Sequence, residues 1–372
     1  MKKYVLLCGL MCVASTANAG EWIYDVSGVA NGLYGYSDYA KRYKAQHKHH
    51  HTPISGEIYT YAGYRFENGT EFKIGLDGQA ADGKEVEDYN HGTWGENLYA
   101  TIASDYGEFN VGQVYNAAYQ LAVGAPSVGY FRVNNSPITD FVANPNWQRR
   151  HHKIASYRTL NSTYLNTDAD ALKASYITPQ WHGVKAAFSY APDSYSEAGL
   201  INRKSRYDNR SSYAGGVYYN GVFEWFEMES SLGYAYNRKN NQEASAGLSL
   251  YRKGWTLGGS YRQSWTTGTD YALNERTNDE QPFFYDGYRE GRAFNIGVSY
   301  EIGPFKTGVS YFGAYAKKTD NKDKIISWAN RFAFNKYVAI YLTSAYAEYK
   351  GTTDGEDGNK GYAAVAGLEL SF

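Results

Sequence analysis

The side chains of this sequence best suited to chemistry are charged residues placed so that opposite charges could face one another across an enclosed space. Arg65 and Lys73 lie in neighbouring segments whose polar and apolar residues alternate, so both fall on the polar face of an extended strand. Opposed charges of this kind set up a field that orders water and favours polar solutes over apolar ones. The residues that we take as candidates for such a constriction lined by opposed charges are Arg65, Lys73, Asp77, Arg132, Asp140, Arg149 and Arg150.

A second candidate group is a histidine cluster formed by His47, His49, His50 and His51. Imidazoles this dense can bind zinc or copper. No cysteine or acidic partner accompanies the cluster, so a solvated loop is the favoured interpretation and a metal site stays the alternative. The sequence shows no nucleophile elbow, metal-binding signature or phosphate loop, and we expect no cofactor.

The elements that must position these residues are strands. In the last eleven residues, 362–372, uncharged residues at even positions alternate with smaller or polar residues at odd positions, as in a strand with one apolar face. Asn68-Gly69 and Asn220-Gly221 are hairpin signals between segments of the same kind. The predicted strands are 22–34, 55–67, 70–79, 93–104, 107–115, 171–178, 183–191, 210–219, 222–236, 242–252, 255–265, 291–301, 305–317, 323–334, 337–350 and 362–372.

The connections between these strands alternate between tight turns and long polar loops. A closed antiparallel barrel with an even strand number sorts its connections in this way, with turns on one rim and loops on the other. Apolar residues fall on one face of each strand, and aromatic residues gather near strand ends, where the two interfaces of a membrane would lie. The predicted fold is therefore an all-β transmembrane barrel of about sixteen antiparallel strands.

The composition agrees with a single large β-structure. Tyr and Gly each number 39, about twice the ordinary share, and no apolar run after residue 20 is long enough for a spanning helix. Residues 1–19, with two early lysines, an apolar stretch and a small-residue cleavage site at Ala17-Asn18-Ala19, are predicted to be a signal peptide. Residues 20–372 would then form one barrel domain without cysteine. The near-neutral charge of that domain gives no case for a nucleic-acid partner.

Three stretches resemble the general porins of Gram-negative outer membranes. Residues 97–113 are similar to that family's fourth and fifth strands, residues 173–192 to its sixth-to-seventh hairpin, and the strand ending at Phe372 to its closing strand. The resemblance implies a sixteen-stranded barrel among the lipids of the outer membrane, usually a homotrimer, with short periplasmic turns, long extracellular loops and an inward-folded third loop. It also implies a water-filled channel for passive diffusion of ions and small hydrophilic solutes.

The connection corresponding to that third loop, residues 116–170, departs from the family pattern. Its acidic Pro-Glu-Phe-Gly-type tip is not evident, and Asp140 is the only acidic residue between Asn116 and Arg158. We expect residues 117–147 to lie inside the barrel, with Asp140 facing Arg65 and Lys73 across a constriction. The basic residues of this connection are Arg132, Arg149, Arg150, Lys153 and Arg158, and they leave pore size and ion preference open.

Two other functions stay open at this point. Tyr59, Tyr61 and Tyr99 fall on the lumen side by parity, which favours a channel selective for oligosaccharides as an alternative. A barrel enzyme, such as a lipase or protease, would need a Ser/His or Asp/His set near a rim, and we expect none because no placement is compelling. The alternation of inner and outer faces along the strand would also place a carboxylate of Glu227 or Glu229 toward lipid. Only a bulge or a strand end would explain such a position.

Overall fold

The predicted strands form one continuous antiparallel sheet. The computed structural model describes residues 20–39, 49–82, 97–131, 138–146, 159–165, 168, 171–193, 211–237, 241–266, 290–317, 321–351 and 358–372. Its strand segments are β1 (Gly20–Tyr39), β2 (His50–His51), β3 (Ile54–Phe66), β4 (Glu71–Asp82), β5 (Asn97–Ser104), β6 (Gly107–Gln113), β7 (Leu172–Ile177), β8 (Val184–Ala191), β9 (Ser212–Val222), β10 (Glu227–Asn237), β11 (Asn241–Arg252), β12 (Trp255–Thr266), β13 (Gly291–Ile302), β14 (Phe305–Ala316), β15 (Lys322–Ala333), β16 (Val338–Lys350) and β17 (Asn359–Ser371). Two one-turn helices, α1 (Ala117–Gln120) and α2 (Ile138–Phe141), lie in the described part of the connection between β6 and β7.

The sheet closes on itself through its longest strand, β1. Residues 20–32 of β1 pair with β3, and residues 29–39 pair with β17. β2 continues β3 along the same edge of β1, and the interruption falls at Pro53, which has no N–H to donate to a ladder. With β2 and β3 counted as one strand, the described residues form a closed barrel of sixteen antiparallel strands, which confirms the predicted fold class.

One predicted turn is wrong. β9 continues through Asn220 and Gly221, and β10 begins only at Glu227, so the chain reverses later than the Asn-Gly signal indicates. The N–H of Phe223 donates to the carbonyl of Phe226, at 2.9 Å, and closes the actual reversal. The reason for Gly221 is packing, because a Cβ there would lie 2.4 Å from the hydroxyl of Tyr219.

The acidic residues of β10 lie on the inner face of the barrel. Glu227 and Glu229 share the inner face with the buried Ser231, and the carboxylate of Glu229 accepts hydrogen bonds from two inner-face tyrosines. Our expectation that one of these carboxylates would point at lipid is therefore wrong, and no bulge is needed.

The outer face of the barrel is apolar, as the alternation predicts. Ile326 and Trp328 on β15 and Ile340 and Leu342 on β16 are exposed, whereas Ser327, between two of them, is buried on the inner face. Within the described part of the chain, no helix has the length and hydropathy that crossing a membrane requires.

The interior of the barrel is asymmetric because part of the β6–β7 connection lies inside it. We call residues 114–131, 138–146, 159–165 and 168 the internal loop. We call the inner face of β7 to β17 the loop-bearing wall, and the inner face of β3 to β6, with the half of β1 that pairs with β3, the facing wall. Apolar residues of the internal loop and of the loop-bearing wall form one buried cluster, which includes Phe131, Ile138, Phe141, Val142 and Leu160 of the loop and Phe312, Ile325, Tyr341 and Val365 of the wall.

Candidate functional site

The two ends of the internal loop are joined at a buried polar centre. The side-chain amide of Asn116 donates to the Leu165 carbonyl and to the Asp168 carboxylate, each at 2.8 Å. The Lys173 ammonium on β7 donates to the Val114 carbonyl at 2.5 Å and lies 3.9 Å from Asp168. Burial raises the pKa of Asp168, against the opposing effect of Lys173 and of the Asn116 hydrogen bond. The centre holds the entry and exit of the loop together.

A buried ion pair fixes the returning part of the internal loop. The Arg262 guanidinium on β12 donates to both carboxylate oxygens of Glu243 on β11, at 2.7 and 2.6 Å. Its other terminal nitrogen donates to the backbone carbonyls of Ser162 and Tyr164, at 3.2 and 2.7 Å. Because Arg262 and Glu243 are both fully buried, each depends on the other to offset its lost hydration, and Arg262 also depends on the loop carbonyls.

A buried carboxylate on β15 binds two segments of the internal loop, residues 144–146 and Thr159. Asp323 accepts hydrogen bonds from the side chains of Asn144, Asn146 and Thr159, at 2.9, 2.7 and 2.5 Å. On β17, the amide of Asn359 donates to the Ala143 carbonyl at 2.8 Å. Residues that are distant in sequence thus meet on one acceptor, and the loop cannot shift here without leaving a buried charge unsatisfied.

Short polar side chains of the loop-bearing wall accept hydrogen bonds from backbone N–H groups of residues 117–131. The N–H groups of Ala117, Val123, Ala125 and Tyr130 donate, at 2.9–3.1 Å, to the side chains of Ser189, Ser231, Asn295 and Thr343 respectively. These acceptors lie on β8, β10, β13 and β16. The internal loop therefore runs across most of the loop-bearing wall and stays hydrogen-bonded along its course.

Glycines on the inner face make this close approach possible. We call the following residues, one on each strand from β9 to β14, the glycine track: Gly216, Gly233, Gly247, Gly258, Gly297 and Gly308. A Cβ at Gly247 would lie 1.8 Å from the Val123 carbonyl oxygen, and one at Gly258 would lie 2.7 Å from the Gly124 carbonyl oxygen. The loop backbone occupies the space that side chains fill elsewhere. Sequence reasoning missed the track, although the recurrence of glycine at inner-face positions on successive strands is a signal that could reveal it.

The predicted constriction residues on the strands occupy different heights of the facing wall. Arg65 is near the Asn68-Gly69 turn, where it is ion-paired with Glu21 and, at 2.7 Å, with Glu71. The Lys73 ammonium is 2.5 Å from the same Glu71 and 5.3 Å from the ring centre of Tyr61. Asp77 is six positions beyond Glu71 on β4, or roughly 20 Å along an extended strand. The structure therefore brings Arg65 and Lys73 together around Glu71 and keeps Asp77 apart from Arg65.

Of the loop members of the predicted constriction, one lies among the described residues. Asp140 belongs to α2, whereas Arg132, Arg149 and Arg150 lie outside the described residues, as do Lys153 and Arg158. The role that we expect for these residues stays a prediction.

The histidine cluster is built into the barrel wall where the structure describes it. Nδ1 of His49 is hydrogen-bonded to the Ser37 carbonyl at 2.8 Å, and Nε2 of His51 to the Ser37 hydroxyl at 2.9 Å. The His51 ring also packs on Phe141 of α2, with ring centres 4.7 Å apart. No set of three or more potential metal ligands is gathered anywhere in the described ranges, and His47 lies outside them.

A cavity of about 750 Å³ lies between residues 120–127 of the internal loop and the turn-side end of the loop-bearing wall. Its charged lining residues are Lys185, Glu229 and Lys306. The Tyr218 hydroxyl donates to one oxygen of Glu229 at 2.8 Å, and the Tyr251 hydroxyl donates to the other at 2.5 Å. The lumen thus contains an open polar cavity beside the internal loop.

The family assignment follows from comparison with known proteins. Residues 7–352 match the family model described as Gram-negative porin. No curated protein sequence matches the chain.

Solved structures with the same architecture include an anion-selective porin from Comamonas acidovorans, to which this chain is similar with a TM-score of 0.61 and 15% identity over 95% of this chain and 100% of that one. OmpT of Vibrio cholerae, an outer membrane protein in its trimer form, gives a TM-score of 0.58 and 10% identity over 94% and 99% of the two chains. A variant of the Rh. blastica porin gives a TM-score of 0.55 and 13% identity over 94% of this chain and 100% of that one. At such low identities, the similarity shows the shared barrel fold.

Proposed function

The chain belongs to the Gram-negative porin family, and on that premise we propose that its barrel passes ions and small hydrophilic solutes across the outer membrane by passive diffusion. The observation that carries this proposal is the internal loop, whose described residues are fixed to one wall and narrow the lumen. The facing wall presents charged and hydroxyl-bearing side chains, which suit an aqueous passage.

The proposal includes an assembly and an orientation. We place the tight turns in the periplasm and the long connections outside the cell, with residues 1–19 removed as a signal peptide during export. A homotrimer is the assembly that we expect, because the family resemblance implies it. Cross-linking in native membranes and the mass of the detergent-purified complex test the oligomeric state.

The narrowest part of the passage is proposed to lie between the internal loop and the facing wall. Arg65 and Lys73 would act from the wall at the height of Glu71, and Asp77 would act farther along the same wall. Asp140, with the basic residues of the loop, would act from the opposite side. Support comes from Arg65, Lys73 and Asp77 being on the inner face, since their neighbours Phe72 and Leu76 pair on the outer face.

Reconstitution of the purified protein in a planar lipid bilayer tests the channel function. We expect stepwise conductance increases that scale with salt concentration, as for a water-filled pore. Vesicles that contain the protein should also swell in small sugars or amino acids at rates that fall with solute size. Barrels that insert and stay folded but carry no current would contradict the proposal.

A channel selective for oligosaccharides is the second candidate, and lumen tyrosines favour it. The Tyr99 ring lies against Gly75, where a Cβ would be 2.2 Å from it, and the Tyr61 ring is on the neighbouring strand. Tyr115 and Tyr119 stack at 4.3 Å between ring centres, and Tyr164 meets Tyr119 edge to face. Aromatic faces of this kind can bind the apolar faces of sugars. Concentration-dependent block of the ion current by maltose-series sugars would favour this candidate over unselective diffusion.

The expectation that the chain is not an enzyme stays a prediction. An assay of the purified barrel for lipid and peptide hydrolysis tests it, and activity that survives further purification would contradict it.

A further inference from the structure

The cavity beneath the internal loop has the size of a small-molecule binding site. Its volume of about 750 Å³ falls within the range of small-molecule pockets. The internal loop forms its roof, and that roof is fixed to the cavity wall, because the Ser249 hydroxyl donates to the Gly124 carbonyl at 2.8 Å. The site is therefore formed before any solute enters, which reduces the conformational entropy lost on binding.

The cavity wall holds a positioned negative charge. Both oxygens of Glu229 accept a tyrosine hydroxyl, from Tyr218 on β9 and from Tyr251 on β11. Each hydroxyl uses one acceptor position, and a carboxylate offers about four. Glu229 is consequently held in one orientation and can still accept hydrogen bonds from a cationic group.

A positive charge lies on the neighbouring part of the cavity wall. Lys185 on β8 is directly opposite Tyr218 in the sheet, and within the described residues its ammonium group has no ion pair or hydrogen bond. Lys306, the other lysine of the lining, is paired with Glu301 at 3.1 Å. Lys185 is thus the cation of the cavity whose charge is not already matched.

The spacing between Lys185 and Glu229 suits a small molecule that bridges them. The residues belong to strands two apart, β8 and β10, which places their backbones roughly 10 Å from each other. Tyr218 occupies the strand between them and donates to Glu229, so it does not neutralise Lys185. A solute that carries an anionic and a cationic group a few ångströms apart can meet both residues at once.

We propose that this cavity is a binding site for small zwitterions of the amino-acid and dipeptide class, with the solute carboxylate at Lys185 and the solute ammonium at Glu229. A solute with a single charge meets one favourable and one repulsive residue, whereas a zwitterion meets two favourable ones. Amides and hydroxyls of the lining, among them Gln180, Asn220 and Thr256, can bind the peptide group. The inference rests on the proposed channel function, because a solute reaches the cavity through the lumen.

The test is block of the ion current through the reconstituted channel at neutral pH by three probes of nearly equal size. The probes are alanylalanine, its analogue without the amino group (N-propanoylalanine), which is an anion, and its C-terminal amide, which is a cation. We expect alanylalanine to halve the current at a concentration about tenfold lower than either analogue, since each analogue lacks one charge-assisted hydrogen bond. Equal half-blocking concentrations for all three probes would mean that only size matters, and would overturn the proposal.

Three variants distinguish charge recognition from a structural effect. Lys185→Gln and Glu229→Gln should each weaken block by alanylalanine about tenfold, and Lys185→Glu should make the amide the strongest blocker of the three. Glu57→Gln, a charge neutralised on the facing wall, is the matched control and should leave block by alanylalanine unchanged. If the control weakened block as much as the cavity variants, or if Lys185→Glu left the order of the probes unchanged, the site would be wrong.

Failure of this inference can be told apart from failure of the channel function. A wild-type protein that conducts ions and shows no preference among the probes retains the channel function and loses the proposed site. A folded protein that conducts no ions at all removes both.

Discussion

The loop-bearing wall and the facing wall are built from strands with the same alternation, yet their inner faces differ in side-chain size. On the loop-bearing wall, the inner positions along the path of residues 117–131 are largely glycine, serine and alanine, and the charged residues that anchor the returning loop are fully buried with partners. On the facing wall, the inner positions of β3 and β4 carry tyrosines and charged residues such as Glu57, Tyr59, Glu71 and Lys73. Small side chains receive the internal loop, and large polar ones line the remaining lumen.

This difference indicates that the size of the inner-face side chains determines which wall the internal loop packs against. A loop backbone can approach a strand closely only where the inner residue lacks a bulky side chain, and its N–H groups then need acceptors at that short range. Ser231 next to Gly247 on the neighbouring strand supplies both conditions. On the facing wall the tyrosine rings would occupy this space.

The largest expected effect is the loss of the buried ion pair on the loop-bearing wall. Arg262→Leu leaves the Glu243 carboxylate buried without its partner and releases the carbonyls of Ser162 and Tyr164. We expect the free energy of unfolding in detergent to fall by about 3–5 kcal/mol, together with increased current noise from a loosened loop. Urea titration and single-channel recording measure the two effects.

The matched variant on the facing wall is Lys73→Leu, which breaks a partly exposed pair with Glu71. A pair of this kind contributes less than about 1 kcal/mol. The double variant Glu243→Gln/Arg262→Leu should recover part of the loss, because it removes the stranded charge. If Lys73→Leu and Arg262→Leu destabilised the barrel equally, the contrast between the walls would be wrong.

A second prediction sharpens the role of the glycine track. The Cβ introduced by Gly247→Ala would overlap the Val123 carbonyl oxygen, so the loop must move away from the wall. We expect a loss of about 1–3 kcal/mol in the free energy of unfolding and an altered single-channel conductance. Gly32→Ala on β1 is the control, since nothing lies within 4 Å of its added Cβ. The control should be neutral, and equal effects at both sites would exclude a special role for the track.

A third prediction concerns pH and the centre that closes the loop. Burial raises the pKa of Asp168, so the folded protein holds this proton to higher pH than the unfolded chain does. Folding stability from this residue is therefore fully present below its unfolded pKa of about 4 and is lost as pH rises through the folded value. The free energy of unfolding of Asp168→Asn, minus that of the wild type, should increase as pH rises above about 4. A difference that does not change with pH would show that Asp168 ionises in the folded state as it does in the unfolded chain.

Alternation within each strand predicted the barrel, its strand number and the direction of most side chains, because the period of two is a local property. The turn after β9 was misplaced because Asn220-Gly221 has the composition of a hairpin turn, whereas Gly221 is required for packing against Tyr219. The heights of Arg65 and Asp77 could not be predicted, since parity gives a face but no position along the barrel axis. The anchors Asp168, Glu243, Arg262 and Asp323 depend on contacts between residues far apart in sequence, so no local pattern reveals them.

The smallest effect on stability is expected at the facing wall, where the change in function should be clearest. Neutralising Arg65, Lys73 and Asp140 together should leave the unfolding transition nearly unchanged, because Arg65 and Lys73 are partly exposed to solvent and their pairs with Glu71 contribute little. It should change single-channel conductance and the reversal potential in a salt gradient, since charges on the facing wall act on every ion that passes. Arg331→Gln, an inner-face substitution on β15 that removes the partner of Glu369, is the control for charge loss on the loop-bearing wall. If the triple variant conducted and selected ions as the wild type does, the constriction would lie elsewhere, and the facing wall would be a solvated surface without a role in selectivity.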